Sequence, residues 1–233
     1  MKRSLFMLIS ITITLGVCAS PAFAVSQAEQ TRLSTIISRG DQEIQRRLTA
    51  LNAAAKTLAQ TEKLSATDKQ TLTDEVNTTI SGLTTLKAKL DADTTLADAR
   101  VDAKSIVTGY RVYALVLPKV RLVKVADGQI ALESKFEELS ATFLHRFAEL
   151  KSAGQDVSAL EAALSNMNMK TQSAQEVSTV VQAKVISLQP SDYNSDHTIL
   201  VGYRDQLKSA HDDLVAARDY AKSIVGGIKA LTK

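Results

Sequence analysis

Tryptophan is absent from the chain, cysteine occurs once, and prolines stand only at positions 21, 118 and 190. Each scarcity excludes something. One thiol, Cys18, forms no disulfide within the chain and builds no multi-cysteine metal site. Three prolines and nine glycines leave long stretches that nothing interrupts, and an aromatic share of 4% is poor material for sheets. Charge of one sign is missing too, since 28 basic and 25 acidic side chains nearly cancel. A near-balanced surface argues against a nucleic-acid partner, which needs a concentrated basic face. Beyond the first residues no apolar run is long. Val112 to Pro118, the longest uncharged one, covers seven residues against the roughly 20 that a membrane-spanning helix requires.

What is present begins with a leader. Lys2 and Arg3 precede an apolar stretch from Leu5 to Val17, and Ala22-Phe23-Ala24 supplies a small-x-small cleavage site. The expectation is a signal peptide over residues 1–24, cleaved after Ala24, and a protein exported to a periplasm, a cell surface or the medium. Cys18 lies inside the leader, and Val17 before it is a poor match to a lipoprotein site. The mature chain is then cysteine-free, with 26 basic and 25 acidic side chains, and depends on packing alone.

The remainder carries helical period. Leu33, Ile37, Ile44, Leu48, Leu51, Ala55 and Leu58 fall mostly at spacings of three and four and predict a long first helix. Ser65-Ala66-Thr67-Asp68 resembles a capping box and opens a second helix ending near Asp91. A third, capped by Asp93 to Thr95, is expected to run through Ile106, Tyr110, Tyr113 and Leu117 until Pro118 stops or kinks it. The segment from Val112 to Val125 reads as a buried helix pair, with a short hairpin as the alternative. Leu132, Phe136, Leu139, Phe143, Phe147 and Leu150 mark the next helix, ended by Gly154 in the left-handed conformation. Another runs from Val157 to Leu188. A polar loop, Ser191 to Asp196, precedes a last helix in which Tyr203, Leu207, Ala210, Leu214, Ala217, Ala221, Ile224, Ile228 and Leu231 alternate strictly, as in a coiled-coil seam.

The whole reads as an all-α, elongated bundle of five or six amphipathic helices. Ala99 to Gly109 matches Ala217 to Gly227 at eight of eleven positions, consistent with two tandem three-helix units, residues 25–118 and 119–233, packed as one continuous helical domain. Ile37-Ser38-Arg39-Gly40-Asp41 and Tyr110-Arg111-Val112-Tyr113-Ala114-Leu115 resemble segments of exported, all-helical bacterial proteins that are themselves uncharacterised. The resemblance implies no function.

Reactive constellations are scarce. No nucleophile elbow, phosphate-cradling glycine loop or His-Glu-x-x-His helix occurs, so the chain is expected not to be an enzyme and to carry no cofactor. His197 and His211 are too far apart on one helix to share an ion, and His145 beside Phe143 and Phe147 reads as a surface histidine next to the core. The best metal candidate is a calcium-like run, Asp192, Asn194 and Asp196, with oxygen ligands at alternate residues, but His197 stands where the tight turn requires glycine and Tyr203 where a bidentate glutamate is needed. Lys119, Arg121 and Lys124, set in the most apolar part of the mature chain, are the candidate contacts for a membrane or partner.

The leading expectation is therefore a non-enzymatic extracytoplasmic helical module that binds another protein or itself, with the seam in the last helix as the place for self-association. The alternative is a peripheral membrane or lipid binder acting through residues 110–125. A ligand or metal carrier in the bundle core has least behind it.

Overall fold

The computed structural model describes residues 26–62 and 64–232; the expected leader and its cleavage site lie outside them. Six long helices and one short one account for nearly all of these residues, and no strand occurs among them. The first, α1 (Gln27–Gln60), starts with a capping box in which Ser26 and Glu29 exchange side-chain and backbone hydrogen bonds. α2 (Ala66–Asp91) and α3 (Leu96–Thr108) are capped by Ser65 and Thr95, whose hydroxyls accept the Asp68 and Asp98 amides. These three helices pack on one another.

The third helix stops nine residues earlier than the apolar pattern implies. It ends at Thr108, Arg111 takes a left-handed conformation with φ 44°, and Val112–Val116 wind into a single π turn. Tyr110, Tyr113 and Leu117 therefore do not continue the face of α3. Pro118 stands in the first turn of α4 (Leu117–Ser152), where a missing amide donor costs nothing. Residues 112–125 are thus helical throughout, and the hairpin alternative falls away. α4 is one unbroken rod of 36 residues, about 54 Å long at 1.5 Å per residue. Gly154, at φ +80°, ends it as expected, with the Gln155 amide returning to the Leu150 carbonyl.

α5 (Ser158–Ser187) runs back along α4. The polar stretch expected to be a loop instead forms α6 (Pro190–Ser195), and α7 (Ile199–Leu231) then lies against both α4 and α5. The seam of α7 is spent inside the chain: Leu207, Ala210, Leu214, Ala217 and Ile224 are all buried against its own neighbours. These five positions are core of the chain itself, while Tyr203, Ile228 and Leu231 of the same seam are partly buried. The matched segments do share a role. Ala99 and Ala217, and Ile106 and Ile224, are the corresponding buried positions of α3 and α7.

Two apolar clusters fill the molecule. One joins α1, α2 and α3 to the first turns of α4, the end of α5 and Leu207 of α7. The other, built on Phe136, Phe143, Phe147, Met167 and Leu214, fills the far half of α4, α5 and α7. Gly40 lets the first cluster close: a Cβ there would meet Leu90 Cδ2 at 2.3 Å and Ile106 Cδ1 at 3.4 Å. The two segments that carry the sequence resemblance are thus a close helix crossing and the π turn.

Candidate functional cleft

A concavity with apolar walls and two arginines lies where the π turn, the start of α4, α6 and the start of α7 meet. Ala114, Pro118 and Leu122 form one wall, Leu200 and Val201 the other, and Arg121 and Arg204 stand at the edge; the space is about 310 Å³. Pro118 and Leu122 face it because the four-residue spacing puts them on one side of α4. Tyr193 and His197 close the end with rings edge to face at 5.1 Å.

α6 locks this end to the π turn. The Arg111 Nε–H donates to Asn194 Oδ1 at 2.6 Å, Asn194 Nδ2 donates to the Thr108 carbonyl at 3.1 Å, and the Arg111 guanidinium lies 5.5 Å from the Tyr193 ring centre. These contacts hold a non-glycine residue in a left-handed conformation, which costs about 1 kcal/mol or more unsupported. On the opposite side Arg47, nearly buried in α1, lies 5.2 Å from the Tyr113 ring.

The candidates read from sequence scatter. Lys119, expected at a membrane or partner surface, is 1% exposed; its ammonium donates to both Glu75 carboxylate oxygens, at 2.7 and 2.8 Å, and to the Leu188 carbonyl at the end of α5. It ties α4 to α2 and α5 and contacts no outside surface. The reason is its register: Lys119 is four residues before Val123 and seven before Ala126, on the buried side of α4. Arg121 is exposed and lines the cleft, and Lys124 is half-buried.

The calcium-like run is dismantled by its own helix. Asp192 accepts the Gln189 amide, Asn194 serves Arg111 and Thr108, and Asp196 caps Thr198, which holds its carboxyl below the usual range. The three side chains have three separate structural duties, and no group of three His, Cys, Asp or Glu among the described residues is placed to hold a metal ion. His145, His197 and His211 are all exposed and on different parts of the molecule.

Sequence reasoning missed two buried polar clusters. In one, Glu133 is fully buried on α4; the Ser178 hydroxyl of α5 lies 3.2 Å from its Oε1 and 2.9 Å from Gln129 Oε1, while Gln129 Nε2 donates to the Leu207 carbonyl of α7. One hydroxyl proton cannot serve both acceptors, and Glu133 Oε2 has no hydrogen-bond partner among the described residues. Burial pushes Glu133 up to about 7; the Ser178 hydrogen bond opposes the shift and the neighbouring Glu137 charge adds to it. In the other cluster Asp127 accepts the Ser65 amide at 2.7 Å beside Asp68, which accepts from Gln182. Burial, with the neighbouring Asp68 charge, raises Asp127 to about 6 despite the Ser65 hydrogen bond. A signal existed for the first cluster: counting back from Phe143 and Phe136 by threes and fours lands on Glu133 and Gln129, polar residues on the core stripe.

No helix among the described residues is long and apolar enough to cross a membrane. No protein-family model, curated protein or solved structure matches this chain.

Proposed function

We propose that the protein is a non-enzymatic helical interaction module working outside the cytoplasm, which binds a protein partner or a second copy of itself through the face that α4 and α7 share beside the cleft. The observation that carries this reading is a stripe on α4. Arg121, Val125, Gly128 and Leu132 recur at spacings of three and four, so they stand on one side of the helix, and Val125 and Leu132 remain 48% and 42% exposed. Val201 and Arg204 of α7 meet Arg121 across the cleft and extend the stripe sideways. Apolar side chains aligned with arginines form a recognition patch, unlike apolar residues scattered singly.

Sedimentation equilibrium and photo-crosslinking test the reading. A photoreactive residue at Val125 or Leu132 is expected to give discrete adducts, with its partner or with a second copy, while one at the distal, exposed Leu144 gives none. A monomer at every concentration, with no adduct from either position in the native envelope, would overturn it.

A second reading, attachment to an anionic membrane surface through residues 110–125, draws on Arg121, Lys124 and the exposed Tyr113 and Val125. Lys119 has no part in it. Salt-sensitive co-sedimentation with anionic vesicles, lost in the Arg121→Gln/Lys124→Gln variant, would favour it over protein recognition.

A further inference from the structure

We propose that the cleft beside the π turn is a binding site for a single-chain amphiphile with an anionic head, its chain lying along Pro118, Leu122 and Leu200 and its head between Arg121 and Arg204. This inference goes beyond the interaction reading and does not depend on it.

Charge complementarity supports the head position. Arg121 and Arg204 are the cations of the cleft, and none of its lining residues is acidic. Among the described residues Arg121 makes no ion pair, and Arg204 has only its chain neighbour Asp205, a pair 66% and 61% exposed. An exposed pair of adjacent residues is worth little and yields readily to a better acceptor. Guanidinium groups present forked donors that suit a carboxylate.

The walls support the chain. Pro118, Leu122, Leu200 and Val201 leave apolar surface facing open space, and about 310 Å³ falls at the lower end of the range for small-molecule sites, roughly 300–1,000 Å³. An anion without a chain would leave these walls wet, and a chain without a charge would leave the arginines unused. Rigid surroundings complete the site. Tyr193, which closes one end, is held by Arg111, and α6 is fastened to α3 and the π turn by Asn194, so the cleft is formed before any ligand arrives.

Calorimetric titration of the purified protein with decanoate is the test, with acetate as head alone, decanol as chain alone, and phosphatidylglycerol vesicles as a membrane source of the same chemistry. Saturable one-to-one binding of decanoate is expected, about tenfold weaker in Arg121→Gln and in Arg204→Gln, and abolished by Val201→Glu. Val201 is 45% exposed, so that variant keeps the fold, and unchanged far-ultraviolet circular dichroism checks it. Acetate and decanol should bind at least tenfold more weakly. Absence of saturable binding below the micelle threshold, undiminished affinity in the double arginine variant, decanol binding equal to decanoate, or binding to vesicles alone would each overturn the proposal.

Discussion

Glu133 shows how a single side chain can set the response of this molecule to pH. Its folded-state value near 7 lies above that of an unfolded glutamate, because burial disfavours the charge. The folded state therefore holds the proton more tightly than the unfolded one, and stability is lost as pH rises from about 4.5 through about 7. Asp127 acts in the same direction between about 4 and about 6. Glu133→Gln removes the larger part of this slope. Thermal unfolding of the variant is expected to match the wild type near pH 4.5 and to show a gain on the order of 2 kcal/mol at pH 8. Parallel curves at all pH values would show that Glu133 carries its charge without penalty. Neither carboxylate could be singled out from composition alone, since 25 acidic residues share one intrinsic chemistry and only the neighbours separate them. Lys119 teaches the same lesson with opposite charge: its surroundings in sequence read as a basic apolar surface, yet its register sets it on the buried side of α4, where Glu75, 44 residues away, accepts from its ammonium.

At the level of the helix, glycine has two opposite meanings here. Gly40 sits where α1 crosses α2 and α3, with no room for a methyl group beside the fully buried Leu90. Gly128, in the middle of α4, has nothing within 4 Å of the position a Cβ would take. Alanine favours a helix over glycine by about 1 kcal/mol. At Gly128 that gain is realised, so Gly128→Ala should raise stability by about 0.5–1 kcal/mol. At Gly40 overpacking, about 1–3 kcal/mol, opposes it, and Gly40→Ala is expected to be destabilising on balance. Chemical denaturation of both variants checks the pair; two changes of equal sign would mean that Leu90 moves aside freely. Helices themselves were legible from local pattern. Caps at Ser65 and Thr95, the left-handed Gly154 and the stops before Pro190 all follow from short-range stereochemistry. The breaks at Thr108 and Val112 were not, because the apolar period runs on through a turn that distant parts of the chain, Asn194 of α6 and Arg47 of α1 among them, hold in place.

The whole molecule divides less cleanly than its repeated pattern. Val120, Val123, Val181, Val185 and Leu207, all from the second half of the chain, complete the apolar cluster of α1, α2 and α3. Lys119–Glu75, Ser65–Asp127 and Asp68–Gln182 add polar ties across the same junction. A fragment of residues 25–118 would lose Val120, Val123, Val181, Val185 and Leu207 from this cluster, and each large side chain laid bare by their removal costs about 1.5–3 kcal/mol. Such a fragment is expected to have low helicity and no cooperative melt, while the full chain unfolds in one transition. A fragment melting sharply on its own would make the two units independent domains. Sequence by itself determined the fold class and the six long helices, though not α6, the π turn or the end of α3, since the spacing of apolar residues and the caps act within a few positions. Tertiary structure alone decided which charges face inward, that the α7 seam is core, and that Arg121 and Arg204 share a cleft. Those outcomes depend on contacts between residues far apart along the chain, where burial and Coulomb energy act through space, and the register of Lys119 and Glu133 on the core stripe of α4 is only a partial mark of them.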